Sequence, residues 1–155
     1  MLIIQAGIND LPGILSLQKA AFHSQAELVG DFSIPPMTQT LAGITEDFHA
    51  GVILKAIAKD NPDVIVGSVR GYVREGTLYI GRLVVYPSYQ GQGIGGRLLL
   101  AIEALYPDFR YELFTSNISE KALLLYTKNG YKIFRREALN EQADLVFLEK
   151  HAKRL

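Results

Sequence analysis

At 155 residues, with 48% hydrophobic and 21% charged residues, the chain has the length and balance of one folded globular domain, taken as residues 1–155. Lys and Arg together number 16, as do Asp and Glu, which excludes the broad field that draws nucleic acid or an anionic membrane. The absence of cysteine excludes disulfides, thiolate metal ligands and a cysteine nucleophile, and fits a cytoplasmic protein.

The N-terminal MLIIQAGINDLPG has no basic segment ahead of its short apolar run, and no stretch is long enough to span a bilayer, so a soluble, unprocessed chain is expected. Residues 2–5 read as a strand. After Asn9 and Asp10, either of which suits a helix cap, Leu11, Ile14, Leu15, Gln18, Ala21 and Phe22 fall at helical spacing. Pro35 and Pro36 interrupt; Thr38 is the expected cap of a second helix through Leu41, Ile44, Thr45 and Phe48, closed by Gly51. Residues 52–59, 64–73 and 77–85 are rich in Val, Ile and Tyr and are separated by N-P-D and R-E-G-T, which predicts three antiparallel strands in a meander. Beyond a glycine cluster, Ile94, Leu98, Ile102 and Leu105 keep helical period until Pro107. YELFT reads as a fifth strand, Ser119 as the cap of a helix ending at Asn129 and Gly130, and YKIFRR and ADLVFLEK as two last strands. The predicted order, β-α-α-β-β-β-α-β-α-β-β, describes a mixed α/β sheet with helices on its faces.

Four of the 14 glycines, Gly91, Gly93, Gly95 and Gly96, crowd the segment QGQGIGG between the fourth strand and its helix. Such a turn presents backbone N–H groups at a helix N-terminus, where they and the helix dipole attract an anion, phosphate above all. A Walker A loop would carry Lys and a hydroxyl after its last glycine, whereas Gly96 is followed by Arg97 and Leu98. The dinucleotide pattern G-x-G-x-x-G fits Gly91, Gly93 and Gly96, with Glu112 downstream. Its context fails, because Pro87-Ser88-Tyr89-Gln90 separates strand from glycines and only one helix follows where parallel βαβ units are needed. The third pattern, Q-x-x-G-x-G, is met by Gln90, Gly93 and Gly95.

In the setting LVVYPSYQGQGIG, followed downstream by ALLLYTKNGYKIFRR, this third pattern resembles the acyl-CoA loop and the second motif of the GNAT superfamily of N-acetyltransferases. The resemblance runs over nearly the whole chain and implies a central, mostly antiparallel sheet of about seven strands with four helices on its faces, and acetyl-CoA as donor. It implies that Gln90, Gly91, Gln92, Gly93, Ile94, Gly95 and Gly96 cup the coenzyme A diphosphate, with Arg97 beside it or on a solvated helix face. Leu83, Val84 and Val85 would offer a splayed strand edge to the pantetheine arm, with a local bulge at Gly81 and an amide near Val84 polarising the thioester carbonyl. Tyr126, on an apolar helical face that would otherwise read as core, matches the family's general acid beside the sulfur. The family's strand glutamate falls at about Tyr79, so the chain departs from the pattern there. Glu112 is the candidate base, with solvated surface as its other reading. Asn117 and Ser119 compete for a pantetheine contact, the latter also as a helix cap.

By the same resemblance, the N-terminal helices form the acceptor wall, and here they carry Glu27, Asp31, Glu46 and Asp47 with Phe22, Phe32 and Phe48, the acids reading as solvated surface. His23, His49 and His151 show no ligand spacing, so no metal is expected. The expectation is acetyl transfer to a small amine or a protein N-terminus in a ternary complex, by a protein that binds no nucleic acid or membrane and whose kin commonly dimerise. A non-catalytic acyl-CoA sensor and, behind it, a dinucleotide oxidoreductase are the alternatives.

Overall fold

The computed structural model describes residues 1–151. Seven strands, β1 (Leu2–Gln5), β2 (Val52–Ile57), β3 (Ile65–Arg74), β4 (Thr77–Val85), β5 (Arg110–Ser116), β6 (Lys132–Ala138) and β7 (Asp144–His151), form one sheet in the order β1-β2-β3-β4-β5-β7-β6. All neighbours are antiparallel except β4 and β5. That parallel junction needs a crossover, which α4 (Ile94–Ala104) supplies. The remaining helices are α1 (Leu11–Val29), α2 (Pro35–Thr38), α3 (Leu41–Ala50) and α5 (Glu120–Lys128). The count exceeds the sequence expectation by the four-residue α2. Pro35 and Pro36 occupy its first turn, where a missing N–H costs nothing.

Two apolar layers flank the sheet. On one face Leu98, Leu99 and Ile102 of α4 and Tyr126 of α5 pack with Leu54, Val69, Leu78, Ile80, Tyr111, Leu113 and Leu148 from the strands. On the other, Leu11 and Ile14 of α1 meet Ile44 of α3 and Ile53 of β2.

Three caps differ from the sequence reading, two of them because another partner takes the side chain. Asp10 stands at the N-cap of α1 without capping it; its carboxylate accepts the Gly7 N–H at 2.8 Å and pairs with Lys55 Nζ at 2.9 Å. Thr38 ends α2, and Thr40 caps α3 instead, its Oγ1 accepting the Gly43 N–H at 3.1 Å. Ser119 precedes α5 but makes no cap bond, because its Oγ lies 2.6 Å from Ser116 Oγ. Gly51 and Gly130 do terminate their helices as expected, the latter at φ +93°.

Candidate active site

The parallel strands β4 and β5 pair at three positions, Thr77 with Arg110, Leu78 with Tyr111 and Tyr79 with Glu112, and then part. The cause lies in β4. Across the β3–β4 ladder Ser68 opposes Val84 and Arg70 opposes Gly81, so Val69 faces both Arg82 and Leu83. This is a β-bulge, and Arg82 within it takes φ +51°, a left-handed conformation rare for a residue with a side chain. The extra residue resets the alternation of faces. Leu78 and Ile80 before it, and Leu83 and Val85 after it, all point to the α4 side. Tyr79, Gly81 and Arg82 line a cleft on the opposite side.

The Tyr86 N–H donates to Val66 O at 2.7 Å, so the two-residue alternation of an antiparallel ladder turns the Val84 peptide groups towards β3 and those of Val85 towards the gap. Gln90 Nε2 donates to that Val85 carbonyl at 3.1 Å, tying the start of the glycine turn to the open strand edge.

In the turn, Gly91 and Gly93 take φ +79° and +81°. A β-carbon at either would meet no atom within 4 Å, so handedness rather than crowding requires glycine. Gly93 is the N-cap of α4 and has no capping side chain, and the Arg97 N–H donates to its carbonyl at 3.2 Å. The amides of Ile94, Gly95 and Gly96 are therefore left without intrahelical acceptors at the positive end of the helix dipole. Gly91, Gln92, Gly93 and Arg97 are exposed around them.

α5 packs on this end of α4, and a β-carbon at Gly95 would lie 3.3 Å from Leu125 Cδ2. The next residue, Tyr126, is buried, its ring tilted against Tyr131 at 6.1 Å between centroids. Burial pushes its hydroxyl from 10.0 up to about 12. Tyr131 is committed elsewhere, donating to Glu103 Oε2 at 2.8 Å.

Glu112 lies across the sheet from Tyr126, on the wall of the cleft and at the last β4–β5 pair. It is neither solvated nor wrapped in apolar side chains. Arg110 Nη1 donates to its Oε1 at 2.8 Å, while Arg110 Nε holds Glu149 at 2.9 Å. Of the two pantetheine candidates, Asn117 fastens β5 to β7. Its Oδ1 accepts the Asp144 N–H at 2.9 Å and its own N–H donates to Asp144 O at 2.9 Å. Ser119 is buried against Ser116, as above.

The cleft has a volume of about 380 Å³ and includes residues that the sequence reading left out. Arg70, buried on β3, donates from Nη1 to Asp47 Oδ2 at 2.9 Å and to Gln39 Oε1 at 3.1 Å, and from Nη2 to Gln18. Asp47, its side chain still 43% exposed, thus lies at the edge of a network that runs inward through Gln39 to the buried Gln18. Arg82 lies near the same carboxylate, and burial draws both guanidinium groups below their ordinary values. A charged residue inside each apolar run, IVGSVRGYV and LYIGRLVVY, was the available signal. Strand periodicity alone gave no reason to prefer these arginines over the exposed ones.

A family model described as an acetyltransferase (GNAT) domain matches residues 52–133, more than half of the chain and spanning the glycine turn, Glu112 and Tyr126. No curated protein sequence matches. Solved structures share the architecture at low identity. The PaiA N-acetyltransferase of Thermoplasma acidophilum, in complex with coenzyme A, is 18% identical with a TM-score of 0.77, covering 97% of this chain and 99% of that one. The ribosomal-protein-S18-alanine N-acetyltransferase of Escherichia coli is 13% identical with a TM-score of 0.79, covering 99% and 95%. The Salmonella typhimurium yncA structure, with its cofactor acetyl-CoA, is 15% identical with a TM-score of 0.73, covering 100% and 95%.

Proposed function

We propose that this chain, which belongs to the GNAT acetyltransferase family, passes the acetyl group of acetyl-CoA to a primary amine by direct attack, with both substrates bound together. The observation that carries this reading is the parted β4–β5 junction beside an uncapped helix N-terminus. One element offers free amides for a diphosphate, and the other an open strand edge for the pantetheine. The fit is specific in kind, since Gly91 and Gly93 hold a left-handed conformation that residues with side chains rarely adopt.

Gln90 to Gly96 bind the diphosphate, and the Val85 peptide group, facing the gap, pairs with the pantetheine. Acetyl-CoA supplies an activated thioester. The amine nitrogen bonds to the acetyl carbon as the C–S bond breaks, the amine proton passes to Glu112, and the departing sulfur is held by the Tyr126 hydroxyl. Complete proton transfer from a phenol near 12 to an alkyl thiolate would run uphill, by roughly 5 kcal/mol were its acid as strong as a cysteine side chain at about 8.5. Tyr126 therefore acts as a neutral hydrogen-bond donor that stabilises negative charge on sulfur.

The test is release of thiol from acetyl-CoA across a panel of amines; with no cysteine in the chain, the protein adds no thiol background. Amine-dependent release supports the proposal. Tight acetyl-CoA binding without release for any amine overturns it in favour of a sensor.

A further inference from the structure

The cleft on the acceptor side is electrically lopsided. On the β3–β4 side two guanidinium groups, Arg70 and Arg82, face one carboxylate, Asp47. That carboxylate accepts from Arg70 Nη1 at 2.9 Å and from Gln39 Nε2 at 2.8 Å. Among the described residues Arg82 forms no ion pair, and its Nε is buried without a hydrogen-bond partner. On the β5 side the balance is reversed, because Arg110 is shared between Glu112 and Glu149.

A half-buried guanidinium without a counter-ion is costly to maintain, and this one also sits on a backbone held in the left-handed region. The unpaired charge is accounted for if an anion completes the site. Between the two charged ends the walls are aromatic: Tyr72 and Tyr79 stack at 5.2 Å, and Phe114 meets Phe147 at 5.4 Å. The volume of about 380 Å³ is at the small end of ligand pockets.

We propose that the acceptor is a small aminocarboxylate with an aromatic or apolar side chain, its carboxylate held by Arg82 and its amine directed to Glu112. This rests on the acetyltransferase reading above and selects the small amine over the protein N-terminus, which carries no carboxylate beside its amine.

The experiment measures thiol release with a set of aromatic and apolar L-α-amino acids, each beside its decarboxylated amine and its amide. Wild-type kcat/KM is expected to favour the amino acid over both by about 10- to 100-fold, the range of a charge-assisted hydrogen bond. In Arg82→Gln that ratio falls to near one, and Arg82→Lys restores part of it; acetyl-CoA binding reports that each variant is folded. Equal or better turnover of the decarboxylated amines by the wild type overturns the proposal, whatever the variants do. So does an Arg82→Gln protein that binds acetyl-CoA and keeps the wild-type ratio. If nothing is acetylated, titration calorimetry of the same molecules decides. Tighter binding of the amino acids keeps the anion site and removes the transferase reading, while no preference removes the anion site.

Discussion

In the proposed mechanism Tyr126 and Glu112 divide the chemistry between the two faces of the sheet, and each makes a distinct prediction. Tyr126→Phe removes a donor while leaving the ring that packs against Tyr131. It is expected to lower kcat by about 10- to 100-fold and leave acetyl-CoA affinity within about twofold, read by steady-state kinetics and calorimetry. Since its hydroxyl is pushed up to about 12, any alkaline loss of activity due to this group falls near that pH and not near 10.0. A kcat profile with a Tyr126-dependent limb at the ordinary tyrosine value would remove the assignment. For Glu112→Gln, kcat/KM is expected to fall by about 100-fold or more in steady-state kinetics, because the amide cannot accept the proton. The sequence offered these two candidates because motif or strand position singled them out. It did not offer Arg70 and Arg82, because an arginine in a strand gains its meaning from what lies across the sheet. Gln18, Gln39 and Asp47, the partners of Arg70, come from two helices and the turn before the second, 23 to 52 residues away.

Among the elements, strands and helices followed from the periodicity of apolar residues, and ten of the eleven expected elements differ from the observed ones only at their ends or caps. Only the helix expected from Thr38 moved its start, to Leu41 behind a cap at Thr40, while α2 before it was not expected. Caps were harder to read, because Ser119 and Asp10 choose among partners brought close only by folding: Ser116 in one case, Gly7 and Lys55 in the other. The bulge was anticipated from Gly81, yet the strained conformation falls on Arg82. The glycine turn gives the test at this scale. Gly93→Ala places a β-carbon at φ +81°, with no atom close enough to clash. The cost is the left-handed conformation, roughly 1–2 kcal/mol, and acetyl-CoA binding should weaken by about tenfold in calorimetry. Gly93→Asn, which tolerates that conformation better, should retain more affinity than alanine. Equal losses would point to crowding by the ligand instead.

Across the whole molecule, buried tyrosines set the alkaline limit of stability. Burial raises Tyr126 and, with Glu103 beside it, Tyr131; burial also raises Tyr111. A raised folded value means that the folded state holds its protons more tightly, so this stabilisation is complete below the unfolded value of 10.0 and fades as pH climbs towards about 12. Thermal denaturation across that interval should show a falling midpoint, and Tyr126→Phe should flatten part of the fall. At the acid end, Asp10 is lowered: burial opposes this, but the hydrogen bond from Lys55 and the Gly7 amide outweigh it, so its contribution is lost only as pH drops below 3.8. The sheet itself is two slabs stitched by three parallel rungs, β1 to β4 on one side and β5, β7 and β6 on the other. A molecule lying in the open part of that seam takes the place of the rungs the bulge removed. The donor would then act as a splint as well as a reagent, slowing hydrogen exchange along both facing strands whether or not an acceptor is ever supplied.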